Sequence, residues 1–261
     1  MYKHHEESIE NMKKYFENMG VIALILGGSV AKGKARPDSD LDGMVILYED
    51  DYSKREKSNA TTEVVEGHCT YEGGYFDVKY MTKQYITELA EKGSEPARNG
   101  FLGAKILFSN DSEIEKIISD IPVFQIKEKD EKMLSFYSDF WLNYHYFLKS
   151  CNIDGYMRMR TIAEIIYDVY RMILQEQEIL FDCNRRLESQ VESINADTAR
   201  LAAYARQLEK TQSEEDADQF VEFFLKVTNY KPPKDMSVIF TTYSKDFQEW
   251  WREYRPNINE W

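Results

Sequence analysis

The stretch Gly27-Gly28-Ser29-Val30-Ala31-Lys32-Gly33-Lys34-Ala35-Arg36-Pro37-Asp38-Ser39-Asp40-Leu41-Asp42 decides how this chain reads. The apolar, partly β-branched run VIALIL at residues 21–26 precedes it and predicts a buried strand. Two glycines then permit a tight turn, residues 30–34 suit a short helix, and Arg36-Pro37-Asp38-Ser39 marks a second turn. A second strand is expected over residues 40–48. The order is strand, glycine turn, short helix, strand.

Upstream, Ile9, Met12, Phe16 and Met19 recur at helical spacing and Gly20 supplies a stop. Downstream, residues 61–71 and 75–81 favour strand, and Glu72-Gly73-Gly74 is expected to join them as an antiparallel hairpin. A helix over residues 82–92, a short strand over 104–108, and a helix opened by a Ser112/Glu115 capping box complete this part. From Glu128 the composition shifts to long amphipathic stretches at 132–151, 156–177, 196–211 and 213–227, with a last helix near 243–254 after Pro232-Pro233. The fold class is therefore α+β. A mixed β-sheet with flanking helices is expected over residues 1–124, and an all-helical bundle over 125–261, joined near Pro122.

The 261 residues include 18 Tyr, 14 Phe and 4 Trp, enough apolar and aromatic surface for substantial cores and too much for a disordered chain. With 33 Lys+Arg against 46 Asp+Glu, the formal charge of −13 opposes binding to a phosphate backbone, so no nucleic-acid partner is expected. Cys69, Cys151 and Cys183 fit neither a metal nor a disulfide pattern and read as reduced thiols. The polar start lacks a signal-peptide core, and the longest uncharged run, residues 20–31, is too short for a membrane span. A cytoplasmic protein with no membrane partner is the expectation.

Asp40 and Asp42, two apart at a strand start, project to one face. Asp77 lies in Tyr75-Phe76-Asp77-Val78-Lys79-Tyr80, with Phe76, Val78 and Tyr80 toward a core and Asp77 on the opposite side. If these strands share a sheet, three carboxylates converge at one edge. Two carboxylates ~4 Å apart repel by roughly 4 kcal/mol at an effective dielectric of ~20, so such a cluster needs a cation or a shared proton. Oxygen-only donors suit Mg²⁺ with substrate phosphates. Gly27, Gly28 and Ser29 at a strand-to-helix turn offer backbone N–H groups to an anion. Together these residues describe a metal–nucleotide site.

Gly27-Gly28-Ser29, the eleven-position step from Ser29 to Asp40, the Ser39-Asp40-Leu41-Asp42 stretch and the later strand Asp77 resemble the signature of the DNA polymerase β-type nucleotidyltransferase superfamily. Within it, the spacing and the helical second part look most similar to bacterial antibiotic nucleotidyltransferases acting on aminoglycosides and lincosamides. The resemblance implies that Ser29 and the Gly27-Gly28 backbone hold the nucleotide's terminal phosphates. It implies that Asp40 and Asp42 bind Mg²⁺, two ions in all, and that Asp77 completes the metal site and is the general base. The reaction implied is Mg²⁺-dependent transfer of a nucleoside monophosphate, AMP from ATP or another NTP, to a hydroxyl of a small molecule. A cationic, aminoglycoside-like acceptor would suit the negative charge, with antibiotic resistance as the role. Gly43 departs from the pattern, since relatives usually carry a bulky apolar residue there.

In the helical part, Arg185 and Arg186 look similar to the basic position by which related enzymes reach the triphosphate, though a solvated basic pair at a helix start is an equal reading. Glu164 is an alternative base. His68 and His145 read as surface or structural residues, His4 and His5 as part of a frayed terminus, and the aromatic set from Phe136 to Phe147 as core. Two alternatives stay open: a protein adenylyltransferase of antitoxin type, which the long second part argues against, and a silent nucleotide-binding module, favoured if Asp77 points away from Asp40 and Asp42.

Overall fold

In the computed structural model, which describes residues 1–249 and 252, α1 (Lys3–Glu17) buries Ile9, Met12 and Phe16 against the first face of a sheet. β1 (Ala23–Leu26) is buried at all four residues and turns at Gly27 into the one-turn α2 (Gly28–Ala31). β2 (Leu41–Leu47) returns antiparallel to β1. α3 (Glu49–Lys57) and β3 (Thr62–Glu66) carry the chain to β4 (Tyr75–Thr82), which pairs antiparallel with β3 and parallel with β2. The Thr82 hydroxyl accepts from Tyr85 N–H and starts α4 (Lys83–Lys92). α5 (Glu95–Asn99), β5 (Lys105–Ser109), antiparallel to β1, and α6 (Ile114–Asp120) follow. The sheet order is β3-β4-β2-β1-β5.

Period-2 alternation divides the strands between two cores. Leu24, Leu26, Leu41, Val45, Phe76, Val78 and Tyr80 face α1, whereas Ala23, Ile25, Met44, Ile46 and Met81 face Ile86 and Leu89 of α4 and Ile114 and Ile118 of α6. Apolar residues on both sides explain why β1 and β2 read as continuous hydrophobic runs. The topology also fixes where chemistry can gather. Because β2 and β4 run parallel and β1 runs against them, the end of β1 and the starts of β2 and β4 lie along one sheet edge.

The chain divides into two compact units, Met1–Val123 and Phe124–Trp261. In the second, α7 (Lys129–Trp141) continues as a π-helical segment, Leu142–Leu148, and leads to the 22-residue α8 (Gly155–Glu176). α9 (Asn184–Glu192), α10 (Ala196–Thr211), α11 (Glu214–Val227) and α12 (Met236–Tyr243), with a π-helical turn at Ser244–Gln248, complete it. Ile162, Ile165, Val169 and Ile173 of α8 join Phe140, Leu187, Leu201, Phe220 and Phe224 in one core. Its buried Arg171 stacks over Phe136 at 4.7 Å and Phe181 at 4.1 Å, and donates to the Tyr167 hydroxyl at 2.6 Å. Among the described residues no helix is long and apolar enough to cross a membrane.

Five expectations change. β3 stops at Glu66 rather than reaching residue 71, because the following segment leaves the sheet for α1: Thr70 N–H donates to Ser8 Oγ at 3.0 Å and Asn11 donates to the His68 carbonyl at 2.9 Å. Ser112 does not cap α6; Asp111 accepts from Glu113 N–H instead. His4 and His5 lie inside α1, and His5 is buried. α3 and α5 are additional helices. The last expected helix begins earlier, at Met236, and its portion at residues 250, 251, 253 and 254 lies outside the described residues.

Candidate functional site

Asp42 and Asp77 are register partners on the parallel β2–β4 pair, and Asp40 stands two residues before Asp42 on the same face. One carboxylate oxygen from each of Asp40, Asp42 and Asp77 lies within 4.8 Å of the others. At that separation each pair of charges repels by about 3.5 kcal/mol at an effective dielectric of ~20. The carboxyls respond. Partial burial, then the Asp40 and Asp77 charges, push Asp42 up to about 6. Asp77 is raised by desolvation and by Asp40. A trio of oxygen donors of this kind fits a hard divalent cation, which would remove the mutual repulsion.

Gly28 closes the other side. Its φ of +61° lies in the left-handed region, and a Cβ built there would stand 1.6 Å from Asp42 Oδ2. Only glycine lets this turn approach the carboxylate. Gly27 N–H donates to the Asp42 carbonyl at 2.9 Å, which ties the turn to the strand carrying Asp42. The first N–H groups of α2 have no acceptors within the helix. Ser29 follows in that turn and is half-buried. Gly43, the departure noted in the sequence, is filled by its neighbours: a Cβ there would sit 3.4 Å from Met12 Cε and 3.7 Å from Val78 Cγ2.

Several positioning residues were not singled out from the sequence. Tyr75 lies close enough to Asp40 that the carboxylate's charge raises the phenol's pKa. Tyr71 donates to the Ser39 carbonyl at 2.5 Å, and His4 Nε2 to the Pro37 carbonyl at 2.9 Å, so both clamp the loop leading into Asp40. Lys32 donates to Asn99 Oδ1 at 2.9 Å, and its charge lowers Asp42 against the larger upward effects. Tyr75 carried a signal, since it shares Asp77's face of β4 at a spacing of two. The other contacts join distant segments and left none.

Arg185 and Arg186 stand in the first turn of α9 in the helical unit; Arg185 is exposed, and Arg186 Nε is 3.6 Å from Asp182. Glu164 of α8 pairs with Arg160 at 3.6 Å. Neither Arg185 nor Arg186 belongs to the carboxylate cluster, and Glu164 does not either. His68 and His145 are exposed and meet aromatic rings.

Carboxylates at a sheet edge beside a glycine turn form a set of oxygen donors that suits a divalent cation. The family described as "Nucleotidyltransferase domain" matches residues 6–145, more than half of the chain, and the chain belongs to that family. Among solved structures, a nucleotidyltransferase-like protein from Exiguobacterium sibiricum is similar, at 10% identity and a TM-score of 0.46, covering 97% of this chain and 81% of that one. No curated protein matches the sequence.

Proposed function

We propose that the protein is a Mg²⁺-dependent enzyme that transfers a nucleoside monophosphate, AMP from ATP, to a hydroxyl of a small molecule in the cytoplasm. The convergence of Asp40, Asp42 and Asp77 beside Gly28 carries this reading. Asp40 and Asp42 would hold two divalent ions with Asp77 completing the set; when bound, these ions supply charge neutralisation at the attacking and leaving oxygens. The Gly27-Gly28 backbone and Ser29 would bind the terminal phosphates through N–H and hydroxyl donors. Asp77 is the general base: its carboxylate takes the proton of the acceptor hydroxyl as that oxygen attacks the α-phosphorus and pyrophosphate leaves. Its raised affinity for protons suits the task, because a base is most effective when its pKa approaches the working pH.

In the same reading the helical unit provides the acceptor's contacts, and Arg185 and Arg186 serve the triphosphate. The formal charge of −13 favours a cationic acceptor of the aminoglycoside type, with antibiotic modification as the role. The test is incubation with Mg²⁺ and each labelled NTP against aminoglycosides, lincosamides and other polyols, following pyrophosphate release and labelled product. ATP-dependent labelling that disappears in Asp40→Ala and Asp42→Ala supports the proposal. Turnover unchanged in those variants, or no turnover with any acceptor despite tight Mg-nucleotide binding, overturns it.

A further inference from the structure

The helical unit contains a cavity of about 560 Å³ between α8, the start of α9 and the end of α10. That volume lies within the range of small-molecule sites, roughly 300–1,000 Å³. Ile162, Ile166, Tyr167 and Leu187 give it an apolar wall. Its charged lining residues are Glu164, Glu188 and Glu209, with no Lys, Arg or His among them. Tyr170, only 3% exposed, also lines it, and its buried hydroxyl has no hydrogen-bond partner.

A hydroxyl shut away from water and protein partners is costly unless something else bonds it. It lies in the field of Glu188 and Glu209, which raise its pKa further after burial. The three carboxylates are unequally compensated. Glu188 accepts from Arg206 at 2.5 Å and Glu164 pairs with Arg160 at 3.6 Å, whereas Glu209 makes no ion pair among the described residues. Burial and Glu188 accordingly raise the Glu209 carboxyl. The space thus offers an apolar slot and a carboxylate that makes no ion pair among the described residues and is only partly offset by the charge of Arg206, beside a buried phenol whose hydroxyl has no partner.

We propose that this cavity binds a small amphipathic cation, an ammonium group carried on an aromatic or aliphatic body. The apolar part would lie on Ile162, Ile166 and Leu187, and the ammonium would donate to Tyr170 Oη and neutralise Glu209. An anionic ligand of the same shape would meet three carboxylates and be excluded. This site belongs wholly to the helical unit, and the proposal stands apart from nucleotidyl transfer.

The test is isothermal titration calorimetry on the full chain without nucleotide or Mg²⁺, using tryptamine as probe. Indole-3-propionate, with the ring but the opposite charge, and ethylamine, with the ammonium but no body, are the counter-probes. Tryptamine is expected to bind at least tenfold more tightly than either. Glu209→Gln should weaken it about fivefold, Tyr170→Phe about threefold, and Ala163→Trp, which projects a large side chain into the cavity from an exposed position of α8, should abolish it. Circular dichroism and pyrophosphate release check that each variant keeps its fold and basal activity. Equal binding of indole-3-propionate, absence of heat with millimolar tryptamine, or binding unchanged in both Glu209→Gln and Ala163→Trp overturns the proposal. Loss of tryptamine binding by the wild type alongside normal pyrophosphate release would sink the cavity alone; the reverse outcome would sink the transferase alone.

Discussion

Each unit of this protein holds three neighbouring carboxyl groups, and the two trios meet the same electrostatic problem in different ways. Asp40, Asp42 and Asp77 sit at a sheet edge, half-buried or exposed, and one oxygen of each converges with the others; among the described residues they are the group arranged to hold a metal. Asp139, Asp168 and Glu164 lie among helices. Asp168 is 1% exposed and is raised by burial and by the charge of Asp139, while burial and then Glu164 push Asp139 up to about 7. Convergence separates the two: in the first trio one oxygen of each acid meets the others within 4.8 Å, whereas in the second Asn143 donates to Asp139 at 2.9 Å and Glu164 pairs with Arg160. Carboxylates alone therefore do not mark chemistry; their convergence on one point does.

The sharpest way to break this contrast is to neutralise one acid from each trio. Asp77→Asn should lower nucleotidyl transfer by roughly 10²–10⁴-fold, the usual contribution of a general base, while Asp168→Asn should change it little. Comparable losses of pyrophosphate release in both variants would erase the distinction. Next in size, Gly28→Ala forces a Cβ against Asp42 Oδ2 and into a left-handed backbone. Displacing a catalytic carboxylate by about an ångström costs roughly 10²-fold in turnover, and the backbone strain about 1–2 kcal/mol, readable in a chemical melt.

A pH titration sharpens the second trio. Carboxyls whose folded pKa is raised hold protons more tightly when folded than when unfolded. Their stabilising effect is complete below the ordinary carboxyl range and is lost as pH rises toward about 7. Wild-type stability should fall between pH ~4 and ~7, and Asp168→Asn should flatten that slope. Identical slopes would show that Asp168 does not contribute to it. The smallest expected effect belongs to the first trio: Mg²⁺ at about ten times its dissociation constant should stabilise the wild type by ~1.4 kcal/mol and leave Asp42→Asn unmoved. That gain should shrink as pH falls through about 6, where Asp42 takes up its proton.

The elements that place the first trio were legible because their signals are local. Alternation in residues 75–80 set Asp77 opposite Phe76, Val78 and Tyr80, and the glycine turn announced the end of β1. α8, α10 and α11 followed from their apolar stripes. α3 left no such stripe, since none of its residues is buried; it is held by Arg55 over the Tyr80 ring at 3.6 Å. The burial of His5, the Tyr71–Ser39 hydrogen bond and the nearness of Asp139 to Asp168 join segments far apart in the chain, and a sequence pattern carries no term for such meetings. The unpartnered Tyr170 hydroxyl is equally silent in sequence, because α8 buries apolar and polar residues at similar spacing.

The parallel alignment of β2 with β4 carries a consequence for how this protein can vary. Asp42 and Asp77 meet only because each strand begins at the same level, and side chains alternate along β4, so one inserted or deleted residue between Tyr75 and Asp77 would swing the acid into the packing beneath the sheet. The connection at residues 67–74 lies outside any strand but is pinned at His68, Thr70 and Tyr71 to α1 and to the Ser39 carbonyl, so its freedom is confined to Glu72 and Gly73. Natural variants of this chain should therefore gain and lose residues at that tip while keeping the opening of β4 at constant length.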